Sequence, residues 1–154
     1  MKKEIRLNAF AMNCVAHQSP GLWTHPRDRT AEYNRLPYWI DLARTLERGR
    51  FDGLFLADVL GVYDVFGGNP DAALRNATQT PANDPLLLIP AMAAVTENLG
   101  FGVTSNLSYE PPYTFARRMS IGAKAPPRLL STWTTPRRSP ALSVIGTARM
   151  LRVR

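Results

Sequence analysis

Phe51-Asp52-Gly53-Leu54-Phe55-Leu56-Ala57-Asp58 decides the fold class of this chain. Phe51 to Ala57 is almost continuously apolar, which suits a strand covered on both faces in a parallel sheet. The run ends abruptly on an acid. Before it, residues 35–48 carry Leu36, Trp39, Ile40, Ala43 and Leu46 at the i, i+3, i+4, i+7 spacing of a helix with one buried face. Gly49 stands where a C-terminal helix cap belongs. Further upstream, Ile5 to Phe10 reads as a first strand. A polar loop follows it, with His17, Pro20, Gly21, Trp23, His25 and Pro26.

Downstream of Asp58 the pattern repeats. A loop of some 26 residues holds Gly61, Gly67, Gly68, Asn69 and Pro70; loops of such length in compact domains are often functional. Asp84-Pro85 predicts a helix N-cap with Pro in the first turn, and the helix is expected to run to about Asn98, kinked or delayed by Pro90. Phe101 to Leu107 is a third strand candidate, and Tyr113 to Met119 could open a third helix after Pro111-Pro112. Strands alternating with helices imply a parallel sheet with crossovers. A doubly wound sheet and a (β/α)8 barrel both fit. A dinucleotide-type sheet wants a glycine-rich turn after its first strand. Phe10 to His17 has no glycine, which favours the barrel.

Composition sets a boundary near residue 120. Residues 1–120 hold 12 basic and 12 acidic residues; residues 121–154 hold seven basic and none acidic, so the last segment carries the whole net charge of +7. That segment also contains Pro126, Pro127, Pro136, Pro140 and Arg137-Arg138, with Leu129, Leu130 and Trp133 in no sustained period. The expectation is a barrel front over 1–120 and an irregular basic tail over 121–154. Arginines could bind phosphate backbones, but a neutral first 120 residues and the lack of a recognition motif argue against a nucleic-acid partner. No apolar run approaches the ~18 residues of a membrane span, and Met1-Lys2-Lys3-Glu4 precedes no apolar signal region; both point to the cytoplasm. The single Cys14 excludes an internal disulfide and reads as a small buried hydrophobe.

Candidate chemistry sits at strand ends, because barrel enzymes place their sites at the C-terminal ends of the strands. Asp58 is the foremost candidate; the alternative is a loop cap or an arginine partner. Thr104 and Ser105, with Asn106, lie near the end of the third strand, where they could bond a ligand or be ordinary strand residues. His17 and Trp23 lie in the first loop. His17 and His25 have no third ligand and are not a metal signature. Asp58 and Asp64 resemble a carboxylate pair for sugar hydrolysis only loosely, since nothing fixes their separation. Gly67-Gly68-Asn69-Pro70 lacks the Lys and Ser/Thr of a phosphate loop and reads as a turn.

The ordered strings carry more than any one of them. Leu7-Asn8-Ala9-Phe10, His17-Gln18-Ser19-Pro20-Gly21-Leu22-Trp23, Phe51 to Asp58, Gly67 to Arg75, Asn83-Asp84-Pro85, Ser108 to Tyr113 and Ala116 to Ser120 together closely resemble the nitrilotriacetate monooxygenase component A family, a branch of the luciferase-like flavin monooxygenases. The resemblance implies the first three β/α units of a (β/α)8 TIM barrel. It also implies reduced FMN, delivered by a separate NAD(P)H-dependent flavin reductase. One atom of dioxygen would enter a small organic substrate of aminopolycarboxylate or organosulfur type, and the other would leave as water. Intact members are expected to be homo-oligomers. Carried over by position, Asp58 and Thr104 match flavin contacts, Ser105 is their neighbour, and His17 and Trp23 match the substrate-lining first loop. After Ser120 the resemblance stops, where Ile121 to Pro127 replaces the family's continuing helix. The expectation is a truncated or frameshifted product, inactive by itself. The alternatives are a non-catalytic fragment without selected function, or a nucleic-acid binder acting through its basic tail.

Overall fold

The computed structural model describes residues 5–15, 17, 21–106, 109–124 and 129–134, with side chains left undescribed at 106, 121–124 and 129–134. Four strands form one parallel sheet: β1 (Asn8–Met12), β2 (Gly53–Ala57), β3 (Gly100–Asn106) and β4 (Leu129–Thr134), in the order β1-β2-β3-β4. Four helices lie between them: α1 (Leu36–Arg48), α2 (Asp71–Arg75), α3 (Ile89–Ala93) and α4 (Pro112–Lys124). Sequential strand order without a reversal is the winding of a βα barrel; the dinucleotide-binding open sheet reverses its order part-way. Three β/α units of barrel type are therefore present, as the sequence predicts.

The register sorts the side chains onto two faces. Ala11 pairs with Leu56, and Leu56 with Val103; Phe10 pairs with Phe55, and Phe55 with Gly102. Leu54, Leu56, Phe101 and Val103 face the helices, where they bury against Trp39, Ala43 and Leu46 of α1 and Ile89 and Met92 of α3. Trp39 is 1% exposed, so its indole needs a partner; Nε1 donates to the Tyr33 carbonyl at 2.6 Å. The helical stripe read from the sequence is this buried face. On the opposite face, Met12, Cys14 and Ala57 form a smaller cluster with Phe55 and Ala82 packed on it. Cys14 is buried there, as expected.

Several boundaries moved for physical reasons. The first strand begins at Asn8 because its extent is set by pairing with Gly53–Ala57, and Ile5 stays 87% exposed. Asp84 caps as expected, its side chain accepting from the Leu86 N–H at 2.9 Å, but the turn it starts is a 3-10 helix over Pro85–Leu88. Pro90 has no N–H to donate, so α3 opens only around it and spans five residues, stopping well before Asn98. At the end of α1 the left-handed residue is Arg50, with φ 57°, while Gly49 has φ −74° and donates to the Thr45 carbonyl at 2.9 Å. The long loop contains α2 and a 3-10 turn over Phe66–Gly68.

Order continues beyond residue 120, into the segment expected to be irregular. The third helix reaches Lys124, and Leu129–Thr134 pairs in parallel with Phe101–Asn106. Leu-Leu-Ser-Thr-Trp-Thr is rich in residues that favour a pleated, half-buried surface, a local signal that charge counting passes over. The expected end of the third strand at Leu107, the Met1–Glu4 start and the basic residues from 135 to 154 lie outside the described residues.

Candidate flavin-site rim

β-Strands deliver their last side chains to one end of the sheet, and here Asp58 follows β2 directly. Asp58 is half-buried. Burial pushes its carboxyl above the ordinary aspartate range, the negative charge of Asp84 adds to this, and the Arg118 guanidinium opposes it. The acid that acts on Asp58 is thus Asp84, brought from 26 positions downstream. Asp64, the partner suggested by spacing, is exposed.

Around Asp58 the structure assembles a polar cluster. Arg118, on α4, donates from one nitrogen to Asp84 and from the other to Glu110. Asn13, just past β1, is 3% exposed; its Nδ2 donates to the Asp84 carbonyl at 3.2 Å, and its own carbonyl accepts from the Asn83 N–H at 2.8 Å. One guanidinium therefore ties the loop after β2 to the loop after β3, and Asn13 ties the loop after β2 to the loop after β1. Charge-assisted pairs of this kind are the stronger ones. Asn13, Glu110 and Arg118 were not singled out as site residues from the sequence. Their separations of 8 to 71 positions leave no local pattern to read.

Thr104 and Ser105 part company. Val103 is buried among the helices, so alternation puts Ser105 on the helix side and Thr104 on the face of Phe55 and Ala57. Thr104 thus shares its face with the small apolar floor of Phe10, Met12, Phe55 and Ala57. His17 joins the same floor: its ring meets Phe10 edge-on with centroids 4.6 Å apart, and Phe10 stacks on Phe55 at 5.4 Å. Burial lowers the His17 pKa, which favours neutral imidazole. Trp23 is used differently. Its Nε1 donates to the Asn76 carbonyl at 3.0 Å, pinning the first loop to the end of α2.

The surface offers an apolar floor (Phe10, Met12, Phe55, Ala57), one carboxyl and one hydroxyl at its rim, and an imidazole at its side. The face thus combines flat apolar side chains with hydrogen-bonding groups at the adjacent strand ends. Arg118 is engaged by two carboxylates, Asp84 and Glu110.

Over 120 residues the chain is 59% identical to the dimethyl-sulfide monooxygenase of Hyphomicrobium sulfonivorans, covering 78% of this chain and 25% of that protein. The solved structure of the long-chain alkane monooxygenase LadA superposes over 99% of this chain and 35% of its own, with a TM-score of 0.84 and 47% identity. The chain is a homologue of the N-terminal part of the luciferase-like two-component flavin monooxygenases. By sequence, the long-chain alkane monooxygenase of Geobacillus thermodenitrificans is 56% identical over 120 residues, 78% of this chain and 27% of that one. Component A of the nitrilotriacetate monooxygenase of Aminobacter aminovorans is 34% identical over 100 residues, 63% and 22% of the two chains. A riboflavin lyase solved with modified FMN and riboflavin matches with a TM-score of 0.75 and 30% identity, over 85% of this chain and 30% of that one. The chain spans about a quarter of the length of the curated relatives it matches. No protein-family model matches it. No helix among the described residues is long and apolar enough to cross a membrane.

Proposed function

We propose that these residues are the front of a cytoplasmic monooxygenase that takes reduced FMN from a separate NAD(P)H-dependent flavin reductase. The enzyme would insert one atom of dioxygen into a small organic substrate, of organosulfur, hydrocarbon or aminopolycarboxylate type. The observation that supports the reading is that Asp58 follows β2 directly and Thr104 lies near the end of β3, both at one end of a sheet whose inner face carries Phe10, Phe55 and Ala57. FMN, when bound, supplies the electrons and the activation of dioxygen. The work of this chain is to hold and to exclude. Asp58 and Thr104 would fix the ring edge by hydrogen bonds, the apolar floor would keep water from its face, and the Arg118 bridge would hold the surrounding loops in register. His17 lines the side of the floor as a neutral imidazole, able to donate from one nitrogen and accept at the other. Ser105, expected as a neighbouring flavin contact, falls on the helix side of the sheet, away from the floor. Trp23 would shape the substrate side by anchoring its loop.

Contacts to the flavin phosphate, and the remaining wall of the barrel, would come from strands outside residues 1–154. It follows that residues 1–154 alone bind FMN weakly and do not turn over. Titrating the chain with FMN, with flavin fluorescence as the readout, tests this. The expected result is no saturation in the micromolar range. Saturable micromolar binding, lost in Asp58→Ala, would show that the four-strand front is a sufficient flavin site.

A further inference from the structure

Met12 pairs with Ala57 across the first two strands, and the next residues along each chain segment are Asn13 and Asp58. The two side chains therefore leave the sheet as neighbours, from strands that lie about 4.8 Å apart. Asn13 is the more deeply set of the two, 3% exposed. Its backbone carbonyl accepts from the Asn83 N–H, Cys14 bridges to Ala82, and its Nδ2 donates to the Asp84 carbonyl at 3.2 Å. That last bond fixes which way the amide points, because the reverse orientation would set two acceptor oxygens against each other. Oδ1 is left buried, with no hydrogen-bond donor among the described residues. Buried side-chain oxygens are in the large majority bonded, so this one calls for a donor.

We propose that Asn13 is a positioning residue for Asp58: Oδ1 accepts the Asp58 O–H, which turns the second Asp58 oxygen toward the flavin ring edge as an uncharged acceptor. The inference rests on the monooxygenase reading above and deepens it. An ionised carboxylate only accepts and has nothing to give Oδ1, whereas the neutral acid is a donor. The surroundings of Asp58 favour the acid. Burial holds its carboxyl above the ordinary aspartate range and the charge of Asp84 adds to this, against the opposing Arg118 guanidinium. Asn13 works in the same direction twice: Nδ2 holds the Asp84 backbone at the strand ends, and Oδ1 bonds the neutral form. Arg118 is itself bonded to Asp84 and Glu110, so ionisable groups reach this end of the sheet from the loops after β2 and β3 and from α4. The loop after β1 adds His17, whose ring lies against Phe10, and Cys14, whose thiol burial pushes up to about 11 and keeps uncharged. A neutral Asp58 can accept from a ring N–H without setting a negative charge beside an electron-rich reduced ring.

The full 154-residue chain, labelled with carbon-13 and free of flavin, is titrated with acid and base while the side-chain carbonyl carbons of Asp58 and Asn13 are followed by NMR. Asp58 is expected to titrate above 3.8. Asn13, which has no ionisable group, should shift with the same midpoint and stay flat in Asp58→Asn. Asn13→Leu keeps a side chain of similar size but offers no acceptor, so it should weaken proton binding at Asp58 about tenfold. Asp84→Asn removes the neighbouring charge and should weaken it as well. A purely space-filling Asn13 would leave the Asp58 midpoint unmoved by leucine. An Asn13 carbonyl blind to the Asp58 titration, or an Asp58 midpoint unchanged or raised in Asn13→Leu, would overturn the proposal. The first of these is read on the unsubstituted chain and does not depend on a variant folding. No flavin enters the titration, so its failure counts against the bond between Asn13 and Asp58, and failure of FMN binding in a completed barrel counts against the monooxygenase reading.

Discussion

Replacing Glu47 by alanine should cost the chain roughly 2–3 kcal/mol of stability, a larger loss than its position near the surface suggests. One oxygen of Glu47, in the last turn of α1, accepts from three consecutive backbone N–H groups: Glu97 at 2.7 Å, Asn98 at 2.5 Å and Leu99 at 3.3 Å. These residues lead the chain into β3, so one carboxylate joins the end of α1 to the start of a strand. Hydrogen bonds to a charged acceptor contribute about 1.5–3 kcal/mol each when protected from water. Glu97 and Asn98 are exposed, and water can serve their N–H groups once the carboxylate is gone. Leu99 is 0% exposed, and its N–H has less access to a substitute. The expected total is therefore that of one or two protected bonds and not of three. Urea denaturation followed by far-ultraviolet circular dichroism measures it, with Glu47→Gln as the companion. Glutamine keeps an acceptor but loses the charge, so its cost should be about half as large. A change within about 0.5 kcal/mol for Glu47→Ala, the range of an ordinary surface substitution, would refute the claim that this carboxylate fastens β3.

Other consequences can be checked on the same chain. Leu56→Ala, at a position 0% exposed between β3 and the helices, should destabilise by about 2–5 kcal/mol in the same urea assay. Asp58 gives a pH dependence of definite sign. Its folded carboxyl holds a proton more tightly than the unfolded one, so stability falls as pH rises through the window that begins at the ordinary value of 3.8. Asp58→Asn should remove that fall, and the difference in Tm between variant and parent should grow from pH 4 to pH 7; a flat difference would contradict the assigned environment. Burial pushes the Cys14 thiol up to about 11, so iodoacetamide at pH 8 should leave it unmodified in the folded chain and label it fully in urea, as mass spectrometry would show.

The parts of the fold that could be read from sequence are those written in local pattern. The apolar run before Asp58 is a buried strand, the stripe from Leu36 to Leu46 is the buried face of α1, and Asp84-Pro85 caps a helical turn. What escaped depends on partners distant in the chain. The start of β1 is fixed by its register with β2, not by its own composition. The short α3 follows from where Pro90 falls in the helical turn. Arg118 meets Asp84 across 34 positions and Glu47 meets Leu99 across 52, separations at which side-chain pairing has no periodic signature. β4 was hidden for another reason: the lack of acids after residue 120 marks a change of composition, and composition does not determine pairing. At the rim, the placement of Asp58 at a strand end could be read from the abrupt close of its apolar run. The division of Thr104 from Ser105 could have been read as well, by extending the alternation of Phe101 and Val103 two residues further.

Completing the barrel is the most direct test. Residues 1–120 of this chain can be fused to the C-terminal three-quarters of the dimethyl-sulfide monooxygenase of Hyphomicrobium sulfonivorans, whose front they match at 59% identity. The fusion is then assayed with reduced FMN and dimethyl sulfide for substrate-dependent oxygen uptake. Uptake in the fusion, with loss of both FMN binding and turnover in its Asp58→Ala form, is the predicted result. A folded fusion that neither binds FMN nor consumes oxygen would contradict the assignment of these residues to a flavin monooxygenase site.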